Sequence, residues 1–161
     1  VGKNTLISKY LNGFHLEDLK LTIGVDFYTK DVVVDGQKIT LKIWVMTREE
    51  RFRFLLSRYC MGTNGTLILY DITNRNTLEH ITEWTQILRK QVGDIPIILI
   101  GTKLDLEESR LVSREEAISL AKSERMDEYM ECSTKTGENI EKVFDILTRL
   151  MLQKPYNIKY S

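Results

Sequence analysis

At 161 residues the chain has room for one domain with one core, and 42% hydrophobic content is ordinary for a folded globular protein. Its 23 basic residues balance 23 acidic ones, so no net field draws it onto nucleic acid or acidic lipid, and neither is expected as a partner. No stretch approaches the ~18 apolar residues that a membrane-crossing helix needs, and no secretory leader opens the chain. Cys60 and Cys132 lie far apart beside apolar runs; they read as buried thiols in a reducing, cytoplasmic setting rather than as a disulfide. The closing stretch, Lys154 to Ser161, contains no cysteine, so no prenyl anchor is expected from it.

Taken in chain order, Leu6, Ile7, Tyr10 and Leu11 share one helical face. Asp26 to Val34 reads as a strand, Asp35-Gly36 as a tight turn, and Lys38 to Val45 as the returning strand, with Ile39, Leu41, Ile43 and Val45 on one side. Phe52, Leu55, Leu56 and Tyr59 mark a second helix. Gly65 to Asp71 and Ile95 to Gly101 are nearly unbroken apolar runs, which suit parallel strands covered on both faces. Leu78, Ile81, Trp84 and Leu88 carry a helix between them. Ser113 and Glu116 form a capping box that opens another helix. Glu128 to Cys132 is a short last strand, and Ile140, Val143, Phe144, Leu147, Leu150 and Met151 line a long final helix. The alternation is that of a layered α/β domain covering residues 1–161. Such a fold does not by itself give function; ligands of these sheets bind in the loops at the carboxyl ends of the strands.

Two of those loops carry base-reading chemistry. Gly101-Thr102-Lys103-Leu104-Asp105 leaves an apolar strand directly. A carboxylate there can accept from both N1 and the 2-amino group of guanine, a donor pair that adenine lacks. The stem of Lys103 can lie along the base. Cys132-Ser133-Thr134-Lys135-Thr136-Gly137 follows the next strand: a backbone N–H near Thr134 can donate to guanine O6, and Ser133 can brace Asp105. Four residues of the first kind recur by chance, but the two loops in this order and strand context are specific.

With both loops in hand, the chain resembles the Ras superfamily, whose matching motifs read Asn/Thr-Lys-x-Asp and Ser-Ala-Lys; Thr134 stands where the family has Ala. Thr22-Ile-Gly-Val-Asp-Phe27, Ile43-Trp44, Arg51-Phe52-Arg53 and Leu69-Tyr-Asp-Ile-Thr73 are similar to the Rab branch, and the likeness spans essentially the whole chain. It implies a Ras-like P-loop NTPase fold: a three-layer α/β sandwich with a mostly parallel sheet and one antiparallel hairpin strand. It also implies GTP and GDP as ligands, Mg²⁺ as cofactor, and effector or regulator proteins that dock on switch regions around Thr22 and Arg48. By the same resemblance Thr22 coordinates Mg²⁺ and senses the γ-phosphate. Phe14 or His15 supplies a ring that packs on the guanine.

The phosphate chemistry departs from the family pattern. Gly2 and Lys3 match the end of the phosphate loop, but its Ser/Thr position holds Asn4, with Thr5 one residue past the ligand position. An amide oxygen can ligate Mg²⁺, yet Asn4 fits a tight octahedral shell poorly. Where the family reads Asp-Thr-Ala-Gly-Gln-Glu, this chain reads Val45-Met46-Thr47-Arg48-Glu49-Glu50. The metal-shell Asp becomes Val45, the Gly near the γ-phosphate becomes Arg48, and the water-orienting Gln becomes Glu49, the residue left at the catalytic position. Arg48 and Glu49 read as the solvated first turn of a helix, with Arg48 in place of the metal's charge as the alternative. The given sequence opens inside the phosphate loop, without the strand that precedes it in the Ras-like fold. Either it is a fragment of a longer product or a partner or another segment supplies that strand, and without it a central gap is expected between the strand ending at Val45 and the one beginning near Gly65. Two functions compete: a guanine-nucleotide switch with impaired Mg²⁺-dependent hydrolysis, and a pseudo-GTPase scaffold that binds nucleotide weakly or not at all.

Overall fold

The computed structural model describes residues 2–11, 19–22, 25–46 and 60–153. Strands β2 (Val25–Val34) and β3 (Gln37–Met46) form an antiparallel hairpin in unbroken register, from Val25 opposite Met46 to Val34 opposite Gln37. Asp35 (φ 50°) and Gly36 (φ 77°) both adopt left-handed backbone, as a two-residue turn that matches strand twist requires. Along β3, Leu41 and Val45 are buried and Ile39 and Ile43 half-buried, while Lys38, Thr40, Lys42 and Trp44 face outward. A further strand, β1 (Leu19–Thr22), runs antiparallel along the other edge of β2, with an irregularity between Lys20 and Thr22. The sequence reading placed no separate strand here, because four residues are too few for alternation to distinguish strand from loop.

Strands β4 (Thr66–Asp71), β5 (Ile97–Thr102) and β6 (Glu128–Glu131) form a parallel sheet in that order. Every residue of β5 is buried, because helices cover both of its faces. Ile98 and Ile100 pack with helices α1 (Lys3–Tyr10) and α5 (Ile140–Gln153). Leu99 and Ile97 pack on the opposite side, with residues of α2 (Asn76–Glu79), α3 (Ile81–Val92) and α4 (Arg114–Ser123). The result is the three-layer α/β arrangement. The helix expected around Leu78 to Leu88 is broken at His80 (φ −95°, ψ 3°) into α2 and α3.

Ser113 caps α4 by accepting from the Glu116 N–H at 3.1 Å, whereas the Glu116 carboxylate turns to Arg75 rather than back to the cap. Between α1 and α5, the Tyr10 and Phe144 rings stack with centroids 3.8 Å apart. Lys30 Nζ sits 3.6 Å from the Tyr10 centroid and donates to the Tyr10 carbonyl. Burial, followed by the charges of Glu141 and Asp145, pushes the Tyr10 hydroxyl up to about 12. Both cysteines are buried and free. No described helix is long and apolar enough to cross a membrane.

β3 and β4 are each the outer strand of their sheet among the described residues. They flank a cavity of about 620 Å³ whose lining includes Leu41, Val45, Leu67, Leu69, Phe144 and Met151. The second helix expected at Phe52 to Tyr59 lies outside the described residues.

Gly101 marks where β5 comes closest to its neighbour: a Cβ there would meet Tyr70 Oη at 2.9 Å and Ile72 Cγ2 at 3.0 Å. Tyr70 is fully buried and its hydroxyl is held 2.6 Å from that of Tyr129, so it has little freedom to give way. Gly101→Ala is therefore expected to destabilise the fold by ~1–3 kcal/mol through overpacking, read as a lower denaturation midpoint.

Candidate functional site

The carboxyl ends of β4, β5 and β6 deliver three segments to one edge of the parallel sheet. Backbone bonds lock them together: Cys132 N–H to Gly101 O at 2.8 Å, Leu104 N–H to Cys132 O at 3.0 Å, and Ile72 N–H to Thr102 O at 3.2 Å. Buried Thr102 turns its hydroxyl away from solvent and donates to Tyr70 O at 2.9 Å. It therefore joins β5 to β4.

Asp105 lies in a 3-10 helix (Leu104–Ser109) and its side chain is exposed. Ser133, fully buried, donates its hydroxyl to Asp105 Oδ1 at 2.7 Å and accepts the Thr136 N–H at 3.1 Å. The same residue closes its own loop through Ser133 N–H to Glu138 O and Gly137 N–H to Ser133 O. Among the described residues the Thr134 and Lys135 N–H groups have no protein acceptor, and both residues sit at the surface end of that loop. A carboxylate held at one oxygen thus lies beside a loop with backbone donors to spare.

Lys103 is in left-handed backbone (φ 67°), an unusual state for a long side chain and typical of functional turns. Its Nζ lies 2.7 Å from Asp71 Oδ2 at the end of β4. Asp71 Oδ1 accepts from the Thr73 N–H and hydroxyl, at 2.8 and 2.6 Å. Burial alone would raise the Asp71 pKa, but the Lys103 ammonium and the Thr73 donors together outweigh it and hold the carboxyl below its ordinary value. Sequence reasoning did not single out Asp71; the signal was a lone acid closing an apolar strand at the ligand-binding end of the sheet.

Gly2 caps α1 in left-handed backbone (φ 90°) and accepts the Leu6 N–H. Asn4 and Thr5 are exposed, and Lys3 is half-buried at the rim of the cavity. The loop after β6 comes close to α1: a Cβ on Gly137 would lie 3.6 Å from Lys9 Cε. Thr22 ends β1 opposite Val25. The Thr22 side chain and Phe14, His15, Thr47, Arg48 and Glu49 lie outside the described residues.

Guanine and Mg²⁺ fare differently against these residues. The exposed, braced carboxylate and the adjacent N–H donors fit a guanine edge. The position that resemblance gives to a metal-shell Asp holds Val45, which is 9% exposed and packed in the core cluster with Leu6, Ile7 and Leu41. Mg²⁺ requires hard oxygen donors in a near-octahedral shell. Among the described residues no His, Cys, Asp and Glu side chains cluster in a metal-binding group. Among the described residues, Val45 offers Mg²⁺ no oxygen at that position.

An exposed carboxylate just past the end of a buried parallel strand, braced from the following strand's loop, fits the small GTP-binding α/β class. The chain is a member of the Ras family, whose model matches residues 1–153. Its relatives give it a Rab-like character. It is 39% identical to Ras-related protein Rab-1 of Theileria parva over 95% of this chain and 70% of that protein. It is 37% identical to Ras-related protein RABC2a of Arabidopsis thaliana over 96% and 74%. Against human Ras-related protein Rab-19 the figures are 34% identity over 96% and 71%.

The depressed Asp71 pKa adds stability above the ordinary carboxyl range, and that stability is lost as pH falls through the folded-state value. Asp71→Asn should therefore lower the urea midpoint at neutral pH, with the gap to wild type closing well below pH ~4. Ser133→Ala removes the hydroxyl that Asp105 and Thr136 share and should cost ~1–2 kcal/mol in the same measurement.

Proposed function

We propose that the chain binds GTP and GDP through the loops Thr102–Asp105 and Cys132–Gly137, with little dependence on Mg²⁺, and that it hydrolyses GTP very slowly or not at all. The observation that carries this reading is the contrast between Asp105, exposed and held by Ser133 at 2.7 Å, and Val45, sealed in the core. Asp105 accepts from N1 and the 2-amino group of the base. Its bond from Ser133 occupies one lone pair and fixes the plane in which the others point. The Thr134 and Lys135 amides receive O6, and the Lys103 stem lies along the ring. Gly2, Lys3, Asn4 and Thr5 are the residues nearest in sequence to the phosphates, with the Lys3 ammonium as their counter-charge.

Hydrolysis asks for more than binding. Phosphoryl transfer depends on positioning and charge stabilisation. Bound Mg²⁺ would neutralise the phosphate oxygens, but hydrocarbon at Val45 offers it no lone pair. Each such lost contact costs ~3–4 kcal/mol of barrier, or ~10²–10³ in rate. Glu49, at the water-orienting position by resemblance, brings a negative charge towards phosphate. Thr22 and Asn4 remain as oxygen donors without the carboxylate that would complete the shell.

A second reading, a pseudo-GTPase scaffold, is favoured by an aromatic pair on the outward face of the hairpin. Phe27 and Trp44 lie 4.8 Å apart between centroids, and Trp44 is 40% exposed. Such a surface suits an effector or regulator protein whether or not nucleotide is bound. In either reading the setting is the cytoplasm, where two buried thiols remain free.

GDP and GTP titrations in Mg²⁺ and in chelator separate these readings. The expected result is Kd values within about threefold of each other in the two conditions, because the described residues offer the metal no octahedral shell. Asp105→Ala should weaken GDP by ~10² through loss of the paired acceptors. Tight binding that requires Mg²⁺, with turnover, would restore an ordinary switch. A folded sample that ignores both nucleotides would leave the scaffold.

A further inference from the structure

The 3-10 helix that carries Asp105 buries none of its residues, so no apolar anchor sets its position. At its start it is tied to the β6 loop by Leu104 N–H to Cys132 O. At its end stands Arg110, whose guanidinium has a side-chain exposure of only 13%. It forks onto Glu107 of the same helix, Nε to Oε1 at 2.9 Å and Nη2 to Oε2 at 2.6 Å. Nη1 donates to Val112 O at 3.0 Å, and Nη2 also reaches Glu131 Oε2 at 2.5 Å.

Glu131 is the last residue of β6, two before Ser133, and its side chain is 5% exposed. Its carbonyl accepts from Asn139 Nδ2 at 2.8 Å, across the base of the loop that holds Ser133 and Thr134. Its second oxygen, Oε1, lies 2.5 Å from Arg114 Nε without being in line for a hydrogen bond.

We infer that the Arg110–Glu131 pair is a positioning device for base recognition: it fastens the segment bearing Asp105 to the strand end bearing Ser133. The inference rests on the guanine-binding reading above. Stability alone does not account for the pair, because a well-packed hydrocarbon pair of similar volume holds a fold as well as a buried ion pair or better. What hydrocarbon cannot supply is direction. A planar guanidinium gripping carboxylates on both segments fixes their relative placement along defined bond vectors. Ser133 then meets Asp105 at one spacing, and the remaining carboxylate lone pairs face the base edge together. Recognition that depends on two parallel hydrogen bonds is sensitive to small misplacements of this kind.

The test is the ratio of Kd for inosine diphosphate, which lacks the 2-amino group, to Kd for GDP, measured beside the urea midpoint. Glu131→Gln keeps shape and removes charge; it should narrow the ratio about tenfold, mainly by weakening GDP. The double variant Arg110→Met/Glu131→Leu should recover the midpoint but not the ratio. It also serves as the reading should Glu131→Gln fail to fold. An unchanged ratio in a folded variant, with only the midpoint lowered, would overturn the inference and leave the pair structural. A wild-type ratio near one would instead sink the base-reading proposal itself, and the positioning role with it.

Discussion

The hydroxyl of Ser133 and the carboxylate of Asp105 meet at 2.7 Å from two different strand ends, and the candidate site rests on that bond. It can form only because β5 and β6 are parallel and adjacent and end at the same edge. The parallel order in turn depends on β5 being buried throughout, with helices on both faces. Ser133 is sealed from water, so its hydroxyl must find a partner inside the protein. Asp105, at the surface, is that partner, and the cost of leaving Ser133 unpaired holds the carboxylate in place.

The rest of the rim serves this meeting. The Thr102 hydroxyl donates to the Tyr70 carbonyl and so joins β5 to β4. Lys103, in left-handed backbone, is drawn to Asp71 at the end of β4. That ion pair is worth more than an exposed one because Asp71 is almost fully buried and accepts Thr73 donors as well.

The hairpin, the parallel strands and the long last helix were legible because each depends on a local rule: two left-handed turn residues, an unbroken apolar run, a repeated helical face. The contact between Asp105 and Ser133 was legible for a related reason, since two short polar loops leave adjacent strands in the right order. Strand β1 was not, because its four residues gain their state by pairing with β2, a contact invisible in a single segment. Asp71, Arg110 and Glu131 escaped notice because charged residues in sequence look like solvated surface. Only packing reveals that Glu131 lies inside the molecule between two arginines. The break at His80 has the same character: the apolar periodicity continues through it while the backbone does not.

The residues proposed to read the base and the residue at the metal-shell position are held by different sheets. Asp105 and Ser133 draw their geometry from β5 and β6, which belong to the parallel sheet. Val45 belongs to β3, in the antiparallel sheet across the cavity, where it packs against α1. A carboxylate at Val45 would have to leave water for that apolar cluster unless a cation met it there, a cost of several kcal/mol. Valine removes that cost, and among the described residues no backbone hydrogen bond links the loops bearing Asp105 and Ser133 to β3. A change at Val45 is therefore not passed to Asp105 and Ser133 through backbone pairing among the described residues. The same separation sets the Phe27–Trp44 pair, on the hairpin, apart from the loops that carry Asp105 and Ser133.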